Sequence, residues 1–152
     1  MRAADNTGKA TFHPFGGSNY AASVEIAGAA PVLVVTELNY NPYDLTPAET
    51  NAGLTDPQNL EFVELHNAGN AALDLTGWKF TEGIGGTFPS FSLGAGEYAV
   101  AVKNTNQFRV RYTNTAIRII GTFSGNLSNG GETVRLVNAQ SGVIASIPYS
   151  DK

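Results

Sequence analysis

The chain has 152 residues, a formal net charge of −4 and no cysteine. The missing cysteines exclude thiol catalysis, cysteine-ligated zinc and disulfide bonds, and the acidic balance argues against a nucleic-acid binder, which needs surplus Lys and Arg for phosphate contacts. Hydrophobic residues make up 42% of the chain, charged residues only 14%, and 17 residues are glycine. This composition predicts one all-β domain with a hydrophobic core and many turns.

Acidic and basic residues are unevenly distributed along the chain. Residues 32–78 contain seven Asp or Glu and no Lys or Arg, whereas residues 79–152 contain seven Lys or Arg and four Asp or Glu. We therefore expect one part of the surface to be acidic. Solvated loops rich in carboxylates would produce the same pattern.

Residues 1–31 differ from the rest of the chain. They contain one strand-like run at 20–27, followed by the linker-like Ala29-Ala30-Pro31. Two interpretations compete: the last strand of a preceding β domain, which the shift in composition favours, or a strand added to the sheet edge. Polar residues follow Met1 and no apolar stretch reaches about 18 residues, so we expect neither a signal peptide nor a membrane span here, and a natural start further upstream.

From residue 32 onward, short apolar or alternating runs are separated by turn sequences. The predicted strands are 32–40, 61–67, 78–81, 98–102, 117–122, 133–138 and 143–149, with a polar loop at 43–60 and a helical turn at 105–112. Asn129-Gly130-Gly131 supplies residues that tolerate the positive φ of a tight hairpin. Such spacing is typical of a β-sandwich of about seven to nine strands.

Four stretches, in chain order, resemble the lamin tail domain in the form found as accessory modules of exported bacterial proteins. They are Val35-Thr36-Glu37-Leu38-Asn39-Tyr40-Asn41-Pro42, Glu61-Phe62-Val63-Glu64-Leu65-His66-Asn67, Leu73-Asp74-Leu75-Thr76-Gly77-Trp78 and Leu127-Ser128-Asn129-Gly130-Gly131-Glu132. The resemblance covers about 120 residues. It implies an immunoglobulin-like β-sandwich over 32–152. Apart from the resemblance, the position of Trp78 after a glycine turn predicts a core aromatic, and the shift in composition sets residues 1–31 apart as an N-terminal segment or linker.

The candidate metal site is a set of carboxylates. Glu37 lies within one predicted strand, Glu61 and Glu64 lie on the next, and Asp56 lies in the long loop. Hard oxygen ligands of this kind suit Ca²⁺, although the dense ligand spacing of a calcium loop is missing. Surface or strand-packing carboxylates are the competing interpretation.

The same carboxylates are poor candidates for glycoside hydrolysis. Glu61 and Glu64 are predicted to point to opposite faces of their strand, which separates that pair. Sequence spacing does not exclude Glu37 and Glu64 as a catalytic pair, but a domain this small is not expected to build a substrate cleft. We therefore predict no enzymatic activity and no catalytic residue.

A second candidate surface is basic. Arg109, Arg111 and Arg118 lie near Phe108 and Tyr112 in the sequence and suggest a small binding patch. Arginines on the solvent-facing side of strands explain the same pattern without a ligand.

The sequence thus predicts a non-catalytic interaction or spacer module of a larger exported bacterial protein, secreted or at the cell surface. Its expected partners are other domains of that protein or another protein. The alternative is a Ca²⁺-assisted carbohydrate-binding module with Tyr40, Tyr43 or Phe91 as sugar platforms, which requires exposed, coplanar aromatic rings.

Overall fold

The computed structural model describes residues 18–20 and 32–151. Strands dominate this part of the chain: β1 (Ser18–Tyr20), β2 (Leu33–Asn41), β3 (Phe62–Asn67), β4 (Leu73–Asp74), β5 (Lys79–Glu82), β6 (Gly86–Thr87), β7 (Ser92–Leu93), β8 (Tyr98–Val102), β9 (Ile119–Thr122), β10 (Glu132–Val137) and β11 (Val143–Tyr149). Two α-helices, α1 (Pro47–Asn51) and α2 (Thr105–Arg111), and a 3-10 helix (Pro57–Leu60) complete it. The seven predicted strands and the helix near residue 105 are confirmed.

The strands form two main sheets and one short ribbon. The five-stranded sheet has the order β1-β2-β3-β8-β9, the four-stranded sheet has the order β11-β10-β5-β6, and β4 pairs with β7. All pairings are antiparallel except β8 with β9, which are parallel. Helix α2 connects these two strands, as a parallel pair requires a crossover.

Alternation along the strands fills the space between the sheets with apolar side chains. In β3, Val63 and Leu65 are fully buried, while Glu64 and His66 on the opposite face are half-buried. The largest core cluster joins side chains of both sheets, including Leu38, Tyr40, Phe80, Leu136 and Ile147. This two-layer packing confirms the predicted all-β sandwich.

Trp78 follows the turn at Gly77, whose φ is +76°. The indole is half-buried and packs against the core cluster rather than lying wholly inside it. Trp78 therefore lies at the edge of the core, partly buried, and not fully enclosed as a core aromatic would be.

A β-bulge in β2 decides which side chains of this strand face outward. Val35 pairs with Leu65 and Glu37 pairs with Glu64, so Thr36 is the extra residue. Val35 and Leu38 lie in the core, whereas Thr36 and Glu37 both lie on the outer face. The bulge thus brings Glu37 and, two residues later, Asn39 onto the same outer surface.

The segment predicted as a polar loop at 43–60 contains two short helices, which corrects that prediction. Thr46 caps α1 with a capping box, since its hydroxyl accepts from the Glu49 amide and Glu49 accepts from the Thr46 amide. Asp56 caps the 3-10 helix by accepting from the Gln58 amide at 2.9 Å. Both caps place acidic side chains where helix N-termini favour them.

The N-terminal prediction is only partly within the described residues. Strand β1 pairs antiparallel with β2 at the edge of the five-stranded sheet, with Asn19 opposite Asn39. For these three residues the backbone is arranged as in the second interpretation, a strand added to the edge of the sheet. Residues 1–17 and 21–31, including the predicted linker, lie outside the described residues.

No helix in the described part of the chain has the length and apolar content needed to cross a lipid bilayer.

Candidate functional site

A cleft of about 610 Å³ lies on the outer face of the five-stranded sheet. Strands β2, β3 and β8 form its floor, and α2 with the segment from residue 41 to α1 forms its walls. Its lining residues are Glu37, Asn39, Asn41, Tyr43, Asp44, Thr46, Glu49, Phe62, Glu64, Val100, Phe108, Arg111, Tyr112 and Ile117. This volume is in the range of ligand-binding pockets.

The floor of the cleft carries two carboxylates on neighbouring strands. Glu37 of β2 is paired directly with Glu64 of β3 in the antiparallel ladder. The Thr36 hydroxyl donates to Glu64 Oε1 at 2.6 Å. Burial, and then the negative charge of Glu64, raises the pKa of Glu37 to about 7. The cleft therefore holds a carboxyl group that ionises near neutral pH.

Apolar and aromatic groups surround these carboxylates. Phe62, Val100 and Phe108 belong to a second hydrophobic cluster that α2 buries against the outer face of the sheet. The Phe62 ring meets the rings of Phe108 and Tyr112 edge-on, each at 5.7 Å between centroids. These contacts hold α2 on the sheet and give the cleft a wall of low polarity.

An ion pair joins the two walls of the cleft. Arg111 on α2 donates from Nε to Glu49 Oε1 at 2.6 Å and from one terminal nitrogen to Oε2 at 3.0 Å. The same guanidinium donates to the carbonyl oxygens of Tyr43 and Asp44 at 3.0 and 3.2 Å. Hydrogen bonds from Arg111 lower the pKa of Glu49 to about 2. The 43–51 segment is therefore fixed against α2.

Polar groups at the far end of the floor are partly buried. Asn39 is only 4% exposed, and its amide donates to the Leu60 carbonyl and to the Tyr112 hydroxyl, both at 3.4 Å. Burial raises the pKa of Tyr112. Tyr43 stands in contrast at the rim, because it is 59% exposed.

A second depression, of about 220 Å³, continues along the same face. It shares Glu64, Val100 and Ile117 with the cleft. Its other lining residues are Tyr98, Ala99, Asn114, Ala116 and Arg118. The two depressions together form a groove that passes Glu64 near its middle.

The four predicted metal ligands are not brought together. Glu37 and Glu64 share the cleft, but Glu61 is fully buried on the inner side of the sheet, where one oxygen accepts from the Leu127 amide at 2.9 Å. Asp56 caps the 3-10 helix. Across residues 18–20 and 32–151, no group of three or more His, Cys, Asp or Glu side chains is arranged to hold a metal ion. Glu61 and Glu64 thus lie on opposite faces, as alternation along the strand predicts.

Glu61 is an unusual buried carboxyl group. Its second oxygen, Oε1, has no hydrogen-bond partner within the structure. Burial raises the pKa of Glu61 to about 7, although the Leu127 amide and Lys103 oppose the shift. The group stabilises the backbone of the 126–128 loop from inside the domain.

The three arginines of the predicted basic patch have separate intrachain partners. Arg109 donates to the carbonyl oxygens of Asn114 and Ile117 at 2.9 and 2.7 Å. Arg111 forms the ion pair with Glu49. Arg118 pairs with Glu97 and lies over the Phe91 ring, 4.6 Å from its centroid. Phe108, expected on this patch, is buried. Each of the three arginines therefore stabilises local structure through its own contacts.

The aromatic residues predicted as sugar platforms do not share a surface. Tyr40 is buried in the core beside Tyr149, and Phe91 is covered by Arg118. Tyr43 alone of the three lines the cleft. The requirement for several exposed, coplanar rings is not met by this set.

The expectation that so small a domain builds no cleft is wrong, but the geometry of the cleft does not suit glycoside hydrolysis. Glu37 and Glu64 stand side by side on one sheet face, where directly paired residues have Cβ atoms about 5 Å apart. Both carboxyl groups would approach a bound sugar from the same side. The two acids of a glycosidase flank the scissile bond instead.

Sequence inspection missed the walls of the cleft. The sequence analysis places Tyr43, Thr46 and Glu49 in a polar loop, although Thr46-Pro47-Ala48-Glu49 has the Thr-x-x-Glu pattern of a capping box. Asn104 is likewise a recognisable N-cap for α2, accepting from the Gln107 amide. These two signals indicate helices, but not that the helices lie on the same sheet face.

Comparison with known protein families identifies a related family. The model of the family Lamin Tail Domain matches residues 27–151. These are non-catalytic, immunoglobulin-like domains, which agrees with the sandwich described above. No curated protein sequence matches the chain significantly.

Proposed function

The chain belongs to the lamin tail domain family, and on that premise we propose that it is a non-catalytic interaction or spacer module of a larger exported bacterial protein. The observation that carries the interaction role is the outer-face cleft of about 610 Å³. We infer that this cleft receives a segment of another protein or of another domain of the same protein.

Three properties of the cleft support binding rather than a purely mechanical role. Its walls are fixed, because Arg111 ties the 43–51 segment to α2 through Glu49. Its lining combines apolar side chains with a few polar groups, as specific binding sites do. Its floor includes a carboxyl pair, and like charges directly opposed across strands destabilise a sheet. A feature that costs stability is understandable where it serves recognition.

Site-specific photocrosslinking in the native host tests the interaction role. A benzophenone amino acid replaces Tyr43, at the rim of the cleft, or Val143 of β11, which is 55% exposed and lies on the other sheet, outside the cleft and the second depression. The proposal expects a discrete crosslinked product from position 43 and none from position 143. Equal crosslinking at both positions, or none at position 43, would leave the spacer role alone.

Export is a separate element of the proposal and has a separate test. Its support is the similarity of the four sequence stretches to modules of exported bacterial proteins. Such a module would be secreted or held at the cell surface. An antibody against the domain, used on fractionated native cells, is expected to detect it in the envelope fraction or medium. Detection in the cytosol alone would reject export without affecting the interaction role.

A further inference from the structure

We propose that the groove on the outer face is a docking site for an extended polypeptide segment that inserts an arginine side chain between Glu37 and Glu64. This inference rests on the proposed interaction function and specifies its ligand. The occupant is a protein segment with a cationic side chain on an apolar stem.

Charge complementarity is the first argument for a cationic occupant. Four acidic side chains line the cleft, namely Glu37, Asp44, Glu49 and Glu64, and one basic side chain, Arg111. Arg111 is already bound by both oxygens of Glu49 and by two carbonyl groups. Glu37 and Glu64 thus have no basic partner among the groups that line the cleft. A bound cation would relieve their mutual repulsion.

The surroundings of the carboxyl pair favour a guanidinium group. Two carboxylates on adjacent strands present several acceptor oxygens to one planar group with five N–H donors. Guanidinium is more weakly hydrated than ammonium, so it loses less on entering a partly apolar cleft. Tyr112, which is half-buried in the cleft wall and close enough to Glu37 to interact with its charge, provides aromatic surface beside the pair, on which such a planar cation can stack.

The shape of the surface favours a polypeptide over a small molecule. The cleft does not end at the carboxyl pair but continues into the second depression through Glu64, Val100 and Ile117. An extended chain laid along this groove places one side chain in the deeper cleft and leaves its neighbours in the shallower part. A small cation such as an amine would use only the cleft.

Binding is expected to depend on pH because a positively charged ligand binds the carboxyl pair more tightly when both groups are ionised. The charged or titratable groups that line the groove are Glu37, Tyr43, Asp44, Glu49, Glu64, Tyr98, Arg111, Tyr112 and Arg118. Of these, Glu37 has a pKa near 7, because of its burial and of Glu64. A guanidinium favours ionised Glu37, so affinity rises as pH increases from 6 to 8 and a proton is released on binding.

The test uses the full 152-residue chain, labelled with ¹⁵N, and capped tripeptide probes. Acetyl-Leu-Arg-Leu-amide is compared with acetyl-Leu-Cit-Leu-amide, in which neutral citrulline keeps the shape of arginine, and with the lysine peptide. Amide shifts in β2, β3 and β8 report the site. We expect the arginine peptide to bind at least about tenfold more tightly than the citrulline peptide, with lysine in between.

Matched variants connect the affinity to the carboxyl pair. Glu37→Gln and Glu64→Gln are each expected to weaken arginine binding about tenfold, and Glu37→Gln also removes the pH dependence. Glu82→Gln, an exposed glutamate paired with Arg135 outside the cleft, is expected to leave binding unchanged. Unfolding curves of each variant confirm that it is folded.

Several outcomes would overturn the inference. Equal affinity for arginine and citrulline would exclude recognition by charge, and tighter binding of lysine would exclude the guanidinium. Shifts confined to residues outside the groove would exclude the site. A protein that gives a crosslink from position 43 but binds none of the probes in the groove keeps its interaction function and loses this ligand, so the two proposals fail separately.

Discussion

Glu37 and Glu64 lie directly opposite each other in the ladder between β2 and β3 because the bulge at Thr36 turns Glu37 to the outer face. Without the bulge, strict alternation from Val35 would also send Glu37 into the core beside Val63 and Leu65. The bulge therefore moves an acidic side chain out of the core and onto the floor of the cleft.

The first expectation concerns the pH dependence of stability from Glu37. Its pKa is raised from an ordinary 4.5 to about 7 by burial and by Glu64. The folded state thus holds a proton that the unfolded state releases, and the free energy of unfolding falls as pH rises from about 4.5 to 7. In Glu37→Gln the fall in the free energy of unfolding over this pH range is smaller by roughly 1–3 kcal/mol. Solvent screening of the partly exposed Glu37 keeps the difference below its full value.

Urea unfolding at several pH values measures the effect of Glu37→Gln. Glu82→Gln is the control, because Glu82 is exposed and outside the cleft. A wild-type-like pH dependence in Glu37→Gln would show that Glu37 titrates as an ordinary solvated carboxyl group.

The second expectation concerns the buried Glu61. Replacement by Met removes the acceptor for the Leu127 amide, and an unpaired buried N–H costs about 1–3 kcal/mol. That cost is fully expressed at pH 5, where Glu61 is protonated in the folded state. At pH 8 the wild-type protein is less stable, because ionising the buried Glu61, whose pKa is near 7, costs free energy that the Met variant does not lose. The destabilisation measured in urea is therefore smaller at pH 8, and equal destabilisation at both pH values would contradict this account.

The third expectation concerns the tether between Glu49 and Arg111. Glu49→Gln keeps the shape but removes the charge, and hydrogen bonds to charged groups contribute about 1.5–3 kcal/mol. The pKa of Glu49 is lowered to about 2, so its contribution is present above about 4.5 and is lost as pH falls toward 2. At pH 7 we expect lower stability and faster hydrogen exchange of amides in the 43–51 segment.

Loss of protection in Glu49→Gln should be local. The exposed pair between Glu82 and Arg135 provides the comparison, since exposed pairs contribute about 1 kcal/mol or less. If Glu82→Gln and Glu49→Gln destabilise the domain equally, the tether is not a special feature of the cleft wall.

The fourth expectation concerns the turn before β10, which leads from β9 in one sheet to β10 in the other and is therefore not the hairpin predicted from the sequence. Gly131 has φ +96°, and a Cβ there would collide with the Tyr149 carbonyl oxygen and lie 2.7 Å from the Ser150 Cα. Gly130, next to it, has no positive φ and only the Ser128 hydroxyl nearby, at 3.9 Å. Gly131→Ala is expected to cost about 2 kcal/mol or more and Gly130→Ala about 0.5 kcal/mol or less, as measured by thermal unfolding. Similar costs for both would contradict the geometry.

The fifth expectation concerns calcium. Because Glu61 lies inside the sandwich and Asp56 caps a helix, Glu37 and Glu64 are the two of the four predicted ligands that share a site. Ca²⁺ takes six to eight oxygen ligands. We expect the unfolding midpoint to be the same in excess EDTA and in millimolar CaCl₂. A rise of several degrees, as a ligand at a hundred times its Kd would produce, would restore the calcium-assisted carbohydrate hypothesis.

Local patterns in the sequence were sufficient for most of the strands. The run from Tyr98 to Val102 and the run from Val143 to Tyr149 have the observed strand bounds. Three two-residue strands escaped prediction, because so short a segment carries no periodic signal and is defined by its partner strand.

The sequence by itself determined the all-β class, the order of the main strands, the glycine turns and the family, because these depend on periodicity and on residues with special backbone preferences. Tertiary structure decided the site. The bulge at Thr36, the burial of Glu61 and the packing of α2 over Phe62 result from contacts between segments distant in the chain. Which carboxyl groups meet, and which of them are desolvated, depends on those contacts. Contacts between distant segments cannot be inferred from the residues that neighbour each carboxyl group in the sequence.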